Sequence, residues 1–331
     1  MRDEIANRVE EAIAEKVFPG CVVGVVKGSG ERDVIPFGHL TYEANAPEVC
    51  EDTIYDLASI TKSIPTASLV LNFLNKGTFN LSDPVKKYIP ELHNDYGATI
   101  EDLLTYMVHG VQMSALADKT PEDISNYIFA GGFNGPPGKS EYTNLPAFLL
   151  GMIVERVGGG SLDVLAREYF FDPLGMKDTF FPNVRLRKSN IAPTEIVDGE
   201  EILGIVHDES ARVFARAGRA VGHAGLFSTA PDLLNFLESL LRINDRFTKS
   251  IIDGARRGLG WQINQPGFMG THAGPCTLGK TGFTGTSVVV DIERGIGFVI
   301  LSNRTYPKRP VDAIAINEFR ADIANIFFSN F

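Results

Sequence analysis

Between Arg2 and Val17 the apolar residues Ile5, Val9, Ile13 and Val17 recur at every fourth position with charges between them, which predicts an amphipathic helix packed along one face. Phe18-Pro19-Gly20 closes it. Cys21 to Val26 and Val34 to Phe37 are β-branched runs joined by a Gly28-Ser29-Gly30 turn, so a hairpin follows. The spacing turns helical over Ser59 to Asn75, Ile100 to Met107, Asn144 to Val157 and Leu162 to Phe171. Between two of these lies Gly131-Gly132-Phe133-Asn134-Gly135-Pro136-Pro137-Gly138, too rich in Gly and Pro for regular structure and suited to a hinge or a cleft wall. Strand character returns at Ser287 to Ile292 and Gly297 to Ser302, around Glu293-Arg294-Gly295, before a terminal helix over Val311 to Phe328. Sheet-forming segments at both ends and helices between them predict an α+β fold. Its expected parts are a discontinuous sheet domain, residues 1–64 and 201–331, and a mainly helical domain, residues 65–200.

Composition narrows the function more than the fold. The 331 residues are 44% hydrophobic and 22% charged, enough for a large core without disulfides or metal. Lys and Arg number 31 against 41 Asp and Glu, a net charge of −10, and basic stretches such as Arg185, Arg187 and Lys188 are short. Nucleic acid and anionic membrane surfaces are therefore not expected partners. Cys21, Cys50 and Cys276 are odd in number, far apart and without C-x-x-C spacing, which suggests buried thiols rather than disulfides or a zinc site. No apolar run reaches the roughly 18 to 20 residues of a membrane span. Met1 leads straight into Arg2, Asp3 and Glu4, so the expected location is cytoplasmic. The six histidines include no H-x-x-x-H pair, and His207-Asp208 is a single pair. No Gly-rich phosphate loop and no G-x-S-x-G elbow occurs. Neither a metal nor a cofactor is expected.

Three short motifs carry the chemistry. Ser59-Ile60-Thr61-Lys62 follows an extended segment, Thr53 to Leu57, and a spacing of three on a helix brings a hydroxyl to an amine. A buried lysine loses its proton more readily, and the neutral amine can accept the serine proton. Taken alone, Ser59 reads as a helix N-cap. Tyr142-Thr143-Asn144 follows the Gly/Pro loop, so a phenol and a carboxamide project from one turn, or serve as a turn tyrosine and a helix cap. Lys280-Thr281-Gly282 precedes the first late strand, where a cation and a hydroxyl can hold a substrate carboxylate while Gly282 admits the substrate backbone. The first motif is expected about 0.7 times by accident, but the three in this order only about 0.004 times.

In this order the elements S-x-x-K, Y-x-N and K-T-G resemble the serine β-lactamases and penicillin-binding proteins, and Y-x-N is similar to their class C branch. Pro173-Leu174-Gly175-Met176, Gly222-His223-Ala224-Gly225-Leu226-Phe227-Ser228 and Gly282-Phe283-Thr284-Gly285-Thr286-Ser287 extend the resemblance over about residues 5 to 330. It implies a β-lactamase/DD-peptidase-like fold, an antiparallel sheet flanked by helices, with the site between sheet and helical domain. It also implies a serine hydrolase acting on small esters or amides through an acyl-enzyme, with β-lactams among them. Ser59 is then the nucleophile, and Lys62 and Tyr142 share proton transfer. Asn144 positions the substrate amide, Lys280 and Thr281 meet a carboxylate, and the backbone amides of Ser59 and Phe283 receive the oxyanion. Alternatives within the fold are a short-chain carboxylesterase or a D-amino-acid peptidase. An alternative of another class is a penicillin-binding sensor that is acylated without turnover.

The chain departs from this pattern at three places. Esterase-like members carry His where Lys280 stands, so the lysine favours substrates with a carboxylate. Pro65, six residues after Ser59, opposes a continuous helix there and predicts a kink or a late start. Leu103 to Gly110 replaces a short polar turn with an apolar segment that alters a cleft wall; His109 in it reads as a surface or capping residue, as a lone loop histidine ordinarily is, with a place facing the site as the alternative. His223, among glycines, reads as structural.

Overall fold

A computed structural model describes residues 1–182, 190–242 and 246–331. Arg185, Arg187 and Lys188 lie outside the described residues.

Six antiparallel strands form the main sheet: β1 (Gly20–Lys27), β2 (Arg32–Gly38), β3 (Gln262–Ile263), β4 (Thr277–Thr281), β5 (Ser287–Asp291) and β6 (Ile296–Ser302), in the order β2-β1-β6-β5-β4-β3. The N-terminal hairpin is thus joined to the late one through β1 and β6, where Cys21 faces Ser302 and Lys27 faces Ile296. Alternation along each strand sends side chains to opposite faces. On one face Cys21, Val23, Val25, Phe298 and Ile300 meet Ile5 and Val9 of helix Arg2–Ala14 and Phe319 and Phe327 of helix Ile314–Asn330. The two helices close that face with ring contacts of 4.9 Å, Phe18 to Phe319 and Phe298 to Phe327. On the other, Val22, Val26, Val299 and Leu301 meet Leu233, Leu234 and Leu237 of helix Ala230–Arg242, in a core that continues into the helical middle of the chain. Gly24 in β1 lets that helix approach, since a Cβ there would lie 3.1 Å from Leu234. Each such fully buried Val or Leu contributes about 1.5 to 3 kcal/mol relative to an exposed one.

Several sequence expectations change in detail. Ser59 to Asn75 is not one helix: Ala58–Lys62 is a single 3₁₀ turn, Ile64 is extended (φ −120°, ψ 110°), and the regular helix starts late, at Ser68. Pro65 disfavours helical geometry in the residue before it, so the backbone opens at Ile64. Lys280-Thr281 lies within a strand, β4, rather than before one. The helical segment at Ile100 ends at Leu104, and Tyr106 has a positive φ of 58°. The terminal helix begins at Ile314, three residues beyond Val311. Helices Glu209–Arg216 and Ala230–Arg242 had no sequence expectation. The Gly/Pro loop is irregular beyond Gly131, with Phe133 bridged to Gly110.

Candidate active site

Backbone hydrogen bonds place the serine. Strand Tyr55–Asp56 pairs with Phe227–Ser228, and the chain then turns sharply at Ala58, whose φ is 46°. A positive φ at a residue with a Cβ costs on the order of 1–3 kcal/mol and persists only where the surroundings fix it. Here the Ala58 amide donates to Asp56 Oδ1 at 2.8 Å, and the Ala58 carbonyl accepts from Thr61 Oγ1 at 2.7 Å. The Asp56 carboxylate also accepts from the His207 amide at 2.7 Å. Burial pushes its pKa up to about 6 against these two donors.

One 3₁₀ turn then brings Lys62 to Ser59. Lys62 Nζ lies 2.8 Å from Ser59 Oγ and donates to the His223 carbonyl at 2.7 Å. Lys62 is 2% exposed. Burial lowers its pKa from 10.5 to about 8, with the Asp208 carboxylate raising it in opposition. A neutral amine in this position donates one N–H to the carbonyl and turns its lone pair to the serine hydroxyl.

Lys280 enters from β4 and is equally buried. Its pKa is lowered by burial, opposed by Tyr142 and reinforced by Lys62. Tyr142 lies between the lysines, its ring centroid 4.6 Å from Lys280 Nζ and 5.3 Å from Lys62 Nζ. Both Nζ atoms lie over the ring, and no hydrogen bond joins the phenol to Ser59. Tyr106 completes the aromatic wall, 5.1 Å from Tyr142 and 5.3 Å from Lys280 Nζ.

Ser59, Tyr142, Lys280, Thr281, Gly282 and Phe283 line one open cleft of about 410 Å³. The cleft also contains Arg304 and Arg320 and no carboxylate. Arg320 donates to the carbonyls of Gly282 at 3.0 Å and Thr286 at 2.8 Å, and Arg304 to that of Phe283 at 2.8 Å, so the two guanidinium groups brace the turn after β4. Gly282 fills a different need from the one its sequence suggests. A Cβ there would collide with the Leu57 carbonyl and the Thr286 hydroxyl, so the close approach is internal. Phe283, 45% exposed, stacks on His207 with centroids 5.8 Å apart. Among the described residues the backbone amides of Ser59 and Phe283 meet no acceptor.

Asn144 is set apart from that cleft. It borders a neighbouring cavity of about 480 Å³ that shares Tyr142 and includes His109, Thr143 and Glu141. Its Nδ2 donates to Asp208 Oδ2 at 3.1 Å. The His223 ring is buried against Ser210 and Asp208, as a structural histidine, while its carbonyl is the Lys62 acceptor. Sequence reasoning missed Asp208, Tyr106, Arg304 and Arg320. Asp208 does cap helix Glu209–Arg216 through the Ala211 amide, a role its position before an amphipathic run signals. No local pattern marks its link to Asn144, 64 residues away. No group of His, Cys, Asp and Glu suited to a metal occurs among the described residues, and none of their helices is long and apolar enough to cross a membrane.

Comparison with known proteins bears on the family and the fold. The family model described as Beta-lactamase matches residues 5–321. A curated Escherichia coli (strain K12) protein named "Putative D-alanyl-D-alanine carboxypeptidase" is 30% identical over 309 residues, 78% of this chain and 70% of that protein. The octameric penicillin-binding protein homologue from Pyrococcus abyssi superimposes with a TM-score of 0.76 at 22% identity, over 99% of this chain and 77% of its own. A β-lactamase/D-alanine carboxypeptidase from Pseudomonas syringae gives 0.77 at 18% identity, over 98% of both chains. These two likenesses bear on the fold.

Proposed function

The chain belongs to the Beta-lactamase family, and from that membership we propose that it hydrolyses small amides and esters bearing a carboxylate, through an acyl-enzyme on Ser59, with D-alanyl peptides as the preferred class. The observation that carries the reading is the 2.8 Å contact between Ser59 Oγ and the buried Lys62 amine. Neutral Lys62 takes the hydroxyl proton as Oγ attacks the substrate carbonyl, and the negative charge moves to the carbonyl oxygen beside the amides of Ser59 and Phe283. Collapse of this intermediate expels the leaving amine or alkoxide, which takes the proton back from Lys62 or through Tyr142. Water then attacks the ester, and the same groups return Ser59 to its hydroxyl. Lys280, Arg304 and Arg320, with no carboxylate beside them in the cleft, favour a substrate anion on the leaving-group side. The name of the Escherichia coli relative supports the peptide class.

Turnover of N-acetyl-D-alanyl-D-alanine, a cephalosporin and a p-nitrophenyl ester, with Ser59→Ala as the blank, tests the reading. The peptide should show Ser59-dependent release of D-alanine. Lys280→Met should lower kcat/KM for the peptide and the cephalosporin at least tenfold more than for the neutral ester. A Lys280→Met variant that weakens all three equally would remove the carboxylate from the proposal. Ser59→Ala retaining most activity would remove the nucleophile.

A further inference from the structure

Phe283 stands out by where its ring is left. Among the described residues it and the terminal Phe331 are the exposed phenylalanines, and Phe283, directly after Lys280-Thr281-Gly282, lines the cleft that holds Ser59. Exposed apolar surface inside a cleft is surface that a ligand can cover. The ring is held in place there. The Phe283 carbonyl accepts from Arg304 Nε at 2.8 Å, and the Arg304 and Arg309 guanidinium carbons lie 5.0 and 5.8 Å from the ring centroid. His207 stacks on it with 24° between the ring planes. Those neighbours are themselves fixed. His207 Nε2 lies 3.0 Å from the buried Glu195 carboxylate, which also accepts from Arg309 Nη2 at 2.8 Å, and Arg309 reaches Glu209 at 2.8 Å. Neither His207, Glu195 nor Arg309 lines the cleft, so they back the ring from outside the reacting groups.

The chemistry beside the ring sets what it would cover. Arg304 donates through Nη1 to the Asp312 carbonyl at 2.8 Å, and the next residue, Ala313, lines the cleft with Phe283. One guanidinium is thus bonded to both segments that carry these apolar side chains, and it belongs, with Lys280 and Arg320, to the cations on the leaving-group side. We propose that Phe283 is a specificity-determining residue whose ring, with Ala313, receives the side chain of the leaving residue. A ligand that meets the cations and the ring together carries a carboxylate and an apolar side chain on one carbon, as in an α-amino acid with an aliphatic or aromatic side chain. A polar side chain of the same size would lose hydration against the ring and gain no hydrogen bond from it. This rests on the proposed acyl transfer at Ser59, and it narrows the leaving group from any carboxylate-bearing amine to apolar α-amino acids.

The test compares two leaving residues of one shape. N-acetyl-D-alanyl-D-leucine and N-acetyl-D-alanyl-D-asparagine end in branched side chains of nearly equal size, one in methyl groups and the other in a carboxamide. Titration calorimetry of Ser59→Ala with each compound reads binding without turnover, and kcat/KM of the wild type reads the same contrast in catalysis. The leucine compound should bind about tenfold more tightly, because the carboxamide is desolvated without a partner. With Phe283→Ala added to Ser59→Ala the ratio should fall below about threefold, since the apolar surface is gone. With Phe283→Tyr added, which keeps the ring, it should stay above about fivefold. Each result is a ratio of two ligands on one protein, so any disturbance of the Phe283 amide cancels. A ratio below about threefold in Ser59→Ala, no binding of either compound, a full ratio in Phe283→Ala, or its loss in Phe283→Tyr overturns the inference. The Ser59→Ala ratio decides by itself if a Phe283 variant does not fold. A tenfold ratio in Ser59→Ala beside a wild type that hydrolyses neither compound would uphold the inference and refute the hydrolysis, and equal hydrolysis of both with equal binding would do the reverse.

Discussion

Burial of Lys62 has a measurable consequence in the pH dependence of acylation. A lysine titrating at about 8 is about 9% neutral at pH 7, whereas one at 10.5 is about 0.03% neutral, so burial raises the active fraction about 300-fold. The difference between the two values corresponds to about 3 kcal/mol. Because only the neutral amine accepts the serine proton, activity rises with pH and levels off above the lysine pKa. Measured on a p-nitrophenyl ester at constant ionic strength from pH 5.5 to 10, kcat/KM should rise about tenfold per pH unit below 7. It should rise about fivefold from 7 to 8 and less than twofold from 8 to 9. An unburied lysine would give about a hundredfold rise between pH 7 and 9 with no bend before 10. Lys62→Arg, whose guanidinium keeps its proton throughout, should lose at least about a thousandfold at pH 7. A flat profile from pH 6 to 9, or Lys62→Arg with more than a tenth of wild-type activity, would refute Lys62 as the base.

Two further substitutions test the frame around the site. Gly282→Ala drives a Cβ into the Leu57 carbonyl and the Thr286 hydroxyl, and should lower stability in urea by about 2 kcal/mol or more together with activity; a loss under about 0.5 kcal/mol would show that the turn yields. Leu234→Ala removes a fully buried side chain between sheet and helix, and should cost about 2–5 kcal/mol by denaturant unfolding, a smaller loss meaning that the helix settles onto β1.

Hydrophobic spacing revealed the terminal helices because each buries one face, and continuous β-branched runs revealed the hairpins because strands β1, β5 and β6 are buried on both faces. Pattern failed at β4, where Thr277–Thr281 holds Gly279, Lys280 and Thr281 in a buried strand. Lys280 is tolerated there because its amine reaches the aromatic wall of the cleft. Helices Glu209–Arg216 and Ala230–Arg242 are amphipathic and capped or packed as such a pattern requires, so the signal was present in the chain although the sequence reading did not use it. The effect of Pro65 was legible because its ring acts on the residue immediately before it.

The sequence by itself determined the α+β alternation, the chemical identity of the Ser59, Lys62, Tyr142 and Lys280 groups, and the family resemblance, since these depend on local spacing and ordered motifs. Only the tertiary structure decided that Lys62 is buried, that its second hydrogen bond goes to a carbonyl 161 residues away, and that Asn144 is hydrogen-bonded to Asp208. Those properties arise from burial and from contacts between distant segments. A desolvation energy or a hydrogen bond between distant segments belongs to the assembled surroundings, and no window of sequence contains either.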